Sequence, residues 1–262
     1  HYWVSKIIEK NKSVLVEKPA TISLFEAKSI YEKIKDKKLF FGEAFMYRYL
    51  PQTKLVIEML QNQEIGEIFS MESSFGMNLL TKKKFLFFNK KKKFDPSDRK
   101  FNKDLGGGSI YDLGCYPSSF SLLVNSIVNK KKSNNFDVIN VSKELGQTGV
   151  DIDSSAEVLF ENGFSSKIHS SFKKNLGNQT TIMGKKGKII LQDTWNGKNI
   201  VVQINKKKEK KIYFENKKNV YSYQIEIISN NLINGVTKTE YPGVDIEETI
   251  LNMEIIENWL NK

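Results

Sequence analysis

The chain has 262 residues, 39% hydrophobic and 11% aromatic, which is enough for one large domain or two small ones with a proper core and excludes disorder as the default. Its net charge of +11 invites a nucleic-acid reading, but of 41 basic residues only Arg48 and Arg99 are arginine, the side chain that phosphate and base recognition favours for its bidentate fork. No apolar run approaches the roughly 20 residues that cross a bilayer. The first residues form no secretory signal, and the single Cys115 has no internal disulfide partner, so a reducing cytoplasm is the expected compartment.

Residues 1–11 predict a helix with Val4, Ile7 and Ile8 on one face. Ser13-Val14-Leu15-Val16 predicts a short buried strand ending at Glu17-Lys18-Pro19. Ser23-Leu24-Phe25-Glu26 is a capping box that opens a second helix. Leu39 to Ala44 is the next strand, and residues 52–62 form a helix on Leu55, Val56, Met59 and Leu60. This alternation predicts a parallel α/β unit with too few strands to make a sheet by itself.

The pattern then changes. Phe69, Met71, Ser73 and Phe75 alternate with more polar neighbours, as in a half-buried strand, and a basic loop leads to the segment Gly106 to Val124. Short strands follow around 138–144, 156–160, 166–173, 179–183, 188–191, 200–204 and 211–215, separated by turn signals such as Glu161-Asn162-Gly163 and Asn196-Gly197. Such a succession predicts a mostly antiparallel sheet. Two helices, about 221–234 and 245–261, complete an α+β layer. The expected division is therefore 1–45 and 46–262. The lysine runs at 82–84, 90–93, 130–132 and 206–208 sit among turn residues and read as solvated loops, not as a nucleic-acid stripe; the 24 asparagines beside them point to a compositional bias.

Two motifs carry chemistry. In Val14-Leu15-Val16-Glu17-Lys18-Pro19, a charged pair ends a buried strand, where open α/β sheets bind ligands. Pro19 keeps Lys18 out of the helical region and presents it at the cleft edge. An ordinary surface lysine is the alternative. The second motif is Gly106-Gly107-Gly108-Ser109-Ile110-Tyr111-Asp112-Leu113-Gly114-Cys115-Tyr116-Pro117. If a helix starts at Ser109, Asp112 and Tyr116 share a face, and a carboxylate one turn from a phenol can orient it. Pro117 predicts a bend after Tyr116. No Gly-Lys-Ser/Thr follows the glycines, so they are not a P-loop. The alternative is a glycine hinge before a helix on which Tyr116 is merely packed.

Together the motifs resemble those of the glucose–fructose oxidoreductase / inositol dehydrogenase (Gfo/Idh/MocA) family, over the whole chain. Glu17-Lys18-Pro19 resembles the family's Glu-Lys-Pro signature, and His1 falls where members often carry a histidine. Glu43-Ala44-Phe45-Met46-Tyr47-Arg48, Gly149-Val150-Asp151-Ile152-Asp153 and Met183-Gly184-Lys185-Lys186-Gly187 are also family-like. Tyr116, where many members have histidine, resembles the dihydrodiol dehydrogenase, xylose dehydrogenase and glucose–fructose oxidoreductase branch.

The resemblance implies the α/β tail of a Rossmann domain (1–45), then an α+β substrate-binding and oligomerisation domain (46–262) with a large, mostly antiparallel, open-faced sheet. It implies hydride transfer between NAD or NADP and a secondary alcohol of a sugar, cyclitol or dihydrodiol. The implied catalytic residues are Tyr116 as acid–base group, Lys18 beside its hydroxyl favouring the phenolate, and Asp112 orienting the pair. His1, Glu17, Lys18 and Pro19 would meet the cofactor, and Arg48, Arg99, Asp112 and Tyr116 the substrate; no metal is implied. A homodimer or homotetramer through the sheet is expected, with no nucleic-acid or membrane partner. The sequence lacks a Gly-x-Gly-x-x-Gly, so roughly 70–90 residues of a complete dinucleotide domain are expected upstream, and the chain by itself is expected to bind cofactor poorly and turn over nothing. The rival expectation is a non-catalytic oligomerisation module of the same fold.

Overall fold

The computed structural model describes residues 1–84, 88–91, 94–129, 135–215 and 218–262. Helix α1 (Tyr2–Glu9), strand β1 (Val14–Glu17), helix α2 (Leu24–Ile34) and strand β2 (Phe41–Ala44) come first. The two strands pair in parallel, Val14 opposite Phe41 through Glu17 opposite Ala44. Val4, Ile8, Val14, Ala20, Ile30, Ile34 and Phe41 pack as their own apolar cluster. The capping box forms: the Ser23 hydroxyl accepts the Glu26 amide at 3.2 Å, and the Glu26 carboxylate reaches back to the Ile22 amide at 3.1 Å.

A single turn of tight helix at Met46–Tyr49 leads to α3 (Pro51–Gln61), whose Pro51 occupies the first turn, where a missing N–H costs nothing. Strand β3 (Ile68–Gly76) enters the main sheet, and Thr81–Lys84 (β4) and Phe88–Lys91 (β5) pair as a separate hairpin. Helix α4 (Cys115–Asn129) follows. Then come β6 (Phe136–Leu145), β7 (Asp151–Phe160), β8 (Ser165–Ser171), β9 (Thr180–Gly184), β10 (Gly187–Gln192), β11 (Asn199–Ile204) and β12 (Lys210–Tyr213), and finally α5 (Val220–Ile233) and α6 (Ile246–Asn261). The eight-stranded sheet runs β12-β11-β10-β9-β3-β8-β7-β6. Its pairs are antiparallel except β3 with β8, so the mostly antiparallel open sheet expected from the sequence is present.

The period of two along each strand sorts the two faces. Met71, Val158, Ile168, Ile182, Ile189 and Ile200 point into the main core, together with Phe120, Leu123, Ile255 and Trp259 of α4 and α6. On the opposite face a groove of about 670 Å³ is lined by Glu72, Ser155, Glu157, Lys167, His169 and Thr181 among others. That face is polar. Lys206, Lys207 and Lys208 are exposed in the turn between β11 and β12; residues 92, 93 and 130–132 of the other lysine runs lie outside the described residues. No helix among the described residues is long and apolar enough to cross a membrane.

The bend predicted after Tyr116 is absent. The irregularity lies before it: Ile110–Gly114 winds as a π turn, and α4 then runs through Pro117 in its first turn. A proline is tolerated there because first-turn amides need not serve the helix's own ladder.

Candidate active site

The site is built where the end of β1 meets the start of α4. Lys18 follows the last residue of β1, and its peptide bond to Pro19 is cis. The Lys18 ammonium donates to the Asp112 main-chain carbonyl at 2.6 Å and stands 3.5 Å from the Asp112 Oδ1. It also lies over the Tyr116 ring, 4.8 Å from the centroid. Both ends of the Lys18–Asp112 pair are largely shielded, at 14% and 9% side-chain exposure, which is where such a pair is screened least. Arg99 completes the group from the other side, its Nη2 donating to Asp112 Oδ1 at 2.8 Å, with its own side chain half exposed. Burial works to raise the Asp112 carboxyl, but the Lys18 charge and the Arg99 bond outweigh it and hold the group below its ordinary range.

Tyr116 sits deeper. Its ring packs edge-on against Phe45, Phe75 and Trp195 at 5.4, 5.1 and 5.3 Å between centroids. Its hydroxyl donates to Met46 Sδ at 3.6 Å. The sequence-based expectation that Lys18 would stand beside this hydroxyl and lower its pKa is not met. The ammonium sits on the π face instead, and burial pushes the phenol well above its ordinary value. In this geometry Tyr116 is a neutral phenol, able to give a proton.

Arg48, which the resemblance places at the substrate, has its guanidinium taken up by other contacts. It is 1% exposed and holds the core together. Its guanidinium donates to the Tyr47 hydroxyl at 2.8 Å, the Ser119 carbonyl at 2.7 Å and the Pro242 carbonyl at 3.1 Å, and pairs with Glu248. An arginine so buried must find acceptors for its fixed fork, and besides its neighbour Tyr47 they come from three residues far off in sequence, Ser119, Pro242 and Glu248. His1 turns its imidazole toward Ser29 and Ser5, at 3.3 and 3.4 Å, between α1 and α2. Glu17 is exposed at the end of β1. Thus Lys18, Asp112, Tyr116 and Arg99 converge, whereas Arg48 and His1 have their contacts elsewhere.

Two carboxylates that the sequence offers only as members of family-like segments are buried beside the site. Glu43, 2% exposed at the end of β2, accepts the Ala20 amide at 3.0 Å and the Thr249 hydroxyl at 2.7 Å. It therefore ties the Lys18-Pro19-Ala20 turn to α6. The available signal was a lone carboxylate inside the apolar run Leu39-Phe40-Phe41-Gly42-Glu43-Ala44-Phe45. Asp151, 3% exposed, accepts the Ser109 hydroxyl at 2.5 Å and the Ile110 amide at 2.9 Å, anchoring the start of the π turn. No cluster of three or more metal-ligating side chains occurs among the described residues.

A parallel α/β unit with its charged strand end, set against an open antiparallel sheet, defines a class of two-part dehydrogenase folds. The chain belongs to the Gfo/Idh/MocA family, whose C-terminal domain matches residues 53–190. It is 24% identical over 256 residues to a D-xylose 1-dehydrogenase (NADP(+)) of Haloferax volcanii, covering 97% of this chain and 72% of that protein. It is also 24% identical to a trans-1,2-dihydrobenzene-1,2-diol dehydrogenase of Xenopus tropicalis, covering 94% and 70%. Among solved structures, a 3-ketoreductase from Actinomadura kijaniata, in complex with NADP and TDP-benzene, superposes with a TM-score of 0.78 at 18% identity, over 98% of this chain and 72% of that one.

Proposed function

We propose that this protein is an NAD(P)-dependent oxidoreductase that moves hydride between nicotinamide and a secondary alcohol of a sugar, cyclitol or dihydrodiol. The observation that carries this is the convergence, across 94 residues of chain, of the Lys18 ammonium on Asp112 and on the Tyr116 ring. The family relatives support it, being sugar and dihydrodiol dehydrogenases.

The carboxyl ends of parallel strands β1 and β2 suit the nicotinamide end of a dinucleotide, with Glu17, Lys18 and Pro19 at the edge. The pyrophosphate cradle is not among these residues, since the sequence holds no Gly-x-Gly-x-x-Gly. When bound, the nicotinamide supplies the hydride chemistry. The chain's own groups handle charge and the proton. The Lys18 ammonium, fixed by Asp112, polarises the reacting oxygen. The neutral Tyr116 hydroxyl gives a proton to that oxygen in reduction and is left as a phenolate; in oxidation the phenolate takes the proton of the alcohol and returns to the phenol. Asp112 positions Lys18, and Arg99 at the mouth meets the polar periphery of the substrate.

The rest of the assignment follows the same reading. The division near residue 45 is supported by the separate apolar cluster of α1, α2, β1 and β2. Assembly as a homodimer or homotetramer uses the exposed sheet face, which offers polar, mixed-charge contacts. The lone buried Cys115, its thiol pushed up to about 12 by burial, suits the cytoplasm.

The test is Lys18→Ala and Tyr116→Phe in the active protein, assayed with NAD(P)H against a panel of ketoses and diketones. Losing a general acid–base group costs roughly 10²–10⁴-fold in turnover. Near-normal turnover in both variants, with chemistry rate-limiting, would sink the proposal.

A further inference from the structure

We propose that Glu43 is a positioning residue for Lys18, acting through the main-chain amide of Ala20. Pro19 has no N–H to give, so the Ala20 amide is the first main-chain donor beyond Lys18. Ala20 is 5% exposed, and a buried amide needs an acceptor. Glu43 Oε1 supplies it at 3.0 Å. The other carboxylate oxygen accepts the Thr249 hydroxyl of α6 at 2.7 Å. The backbone behind the carboxylate is fixed on both edges. Glu43 lies opposite Val16 in the β1–β2 ladder, and its own amide donates to the Val244 carbonyl at 3.0 Å on the other side.

The turn that carries Lys18 is therefore held between β2 and α6. From it the ammonium reaches the Asp112 carbonyl at 2.6 Å and stands 4.8 Å from the centre of the Tyr116 ring. A displacement of about 1 Å is enough to spoil such an arrangement of reacting groups. The type of residue at position 43 points the same way. By the period of two, Glu43 shares a strand face with Phe41, which packs with Ala20 in the apolar cluster of the α/β unit. A carboxylate on that face is desolvated at a cost that an apolar side chain avoids, and what it contributes in return is a fixed turn.

The functional meaning rests on the role given to Lys18 above, and the experiment separates the two. Glu43→Leu keeps the bulk and removes both acceptors. Thr249→Val keeps the carboxylate but releases it from α6, and serves where Glu43→Leu does not fold. Lys18 is read first without turnover, by acylation with an amine reagent and peptide mapping, with exposed Lys54 as the internal reference. Its side chain is 14% exposed in the native chain, and in either variant it is acylated severalfold faster. In Glu43→Gln, whose carbonyl can accept from Ala20 and whose amide can meet Thr249, the rate stays near native. In the active protein Glu43→Leu lowers kcat about tenfold or more with KM little changed, and Glu43→Gln recovers most of the loss. In a Lys18→Met background Glu43→Leu lowers kcat no further, because nothing is left to position. Unchanged acylation of Lys18 in Glu43→Leu, or in Thr249→Val where that variant stands in, overturns the proposal. So does a loss of kcat that adds in full to that of Lys18→Met, the mark of a general weakening of the fold. Faster acylation with unchanged kcat in both Glu43→Leu and Lys18→Met leaves the positioning link standing and overturns the role assigned to Lys18.

Discussion

Gly108 and Asp151 meet closely: a β-carbon on Gly108 would stand 2.2 Å from the Asp151 Oδ1. Gly108 has φ of +114°, a region side chains avoid. The same carboxylate holds Ser109 and Ile110 through its other oxygen. The third glycine of the Gly106-Gly107-Gly108 run is therefore fixed by a carboxylate on β7, and the pair sets where the π turn begins.

Gly108→Ala is expected to destabilise the chain by roughly 2–4 kcal/mol, from the positive φ and the overlap together. Denaturant unfolding checks this. A loss below about 0.5 kcal/mol, the scale of an ordinary surface change, would show that the start of the π turn can shift without cost.

Asp112→Asn keeps the main-chain carbonyl that Lys18 uses but removes the charge facing Lys18 and Arg99. The folded carboxyl lies below its ordinary value near 3.8. A depressed acid stabilises the fold above its ordinary pKa, and that contribution fades as pH falls through the folded value. The variant is therefore expected to have a lower Tm than the native chain at neutral pH, with the gap closing below about pH 4. Melting curves across pH 3–8 read this directly. A constant gap would mean that the carboxylate's charge contributes nothing.

Much of this architecture is legible in the sequence because it rests on local signals. The period of two in β7 and the Ser23–Glu26 box are set by neighbours in the chain. The link between the Glu17-Lys18-Pro19 strand end and the glycine-led segment is not local, and it is legible only because family resemblance joins the two motifs. What is not legible depends on distant partners. Nothing near Tyr116 in sequence says that its hydroxyl meets Met46, or that Lys18 lands on its ring. Arg48 reads as a free cation in a lysine-rich chain, yet Glu248, two hundred residues on, claims it. The proline in Tyr116-Pro117 signals an irregularity but not its side; the π turn forms upstream, where Asp151 anchors it.

Assembly is open to measurement on the polar sheet face. Lys167 stands 3.8 Å from Glu72 across β8 and β3, beside His169 paired to Asp153 at 2.8 Å. Light scattering of the protein is expected to give a dimer or tetramer. Lys167→Glu, placing like charges on neighbouring strands in the contact, is expected to shift the population toward monomer at low salt. A native monomer at tens of micromolar would exclude this face as a stable interface.

Glu43 provides the sharpest test of how the strand end is held. Its carboxyl is pushed up to about 7, chiefly by burial. The Thr249 and Ala20 hydrogen bonds and the Arg48 charge oppose the shift, and the Glu248 charge adds to it. Below about pH 4.5 the group is protonated in the folded and unfolded chain alike and contributes no pH dependence. Between about pH 4.5 and 7 the unfolded chain ionises first, so folding takes up a proton and stability falls as pH rises. Above about pH 7 both states are ionised and the loss levels off, on the order of 3 kcal/mol. Glu43→Gln imitates the protonated group, with its carbonyl able to accept from Ala20 and its amide able to meet the Thr249 hydroxyl. The variant is thus expected to match the native chain near pH 4 and to exceed it in stability by pH 8. The difference should open between those limits. Urea unfolding of both chains at several pH values measures it. A difference that stays flat from pH 4 to 8 would show that Glu43 is ionised throughout and that its neighbours, Arg48 foremost, outweigh its burial.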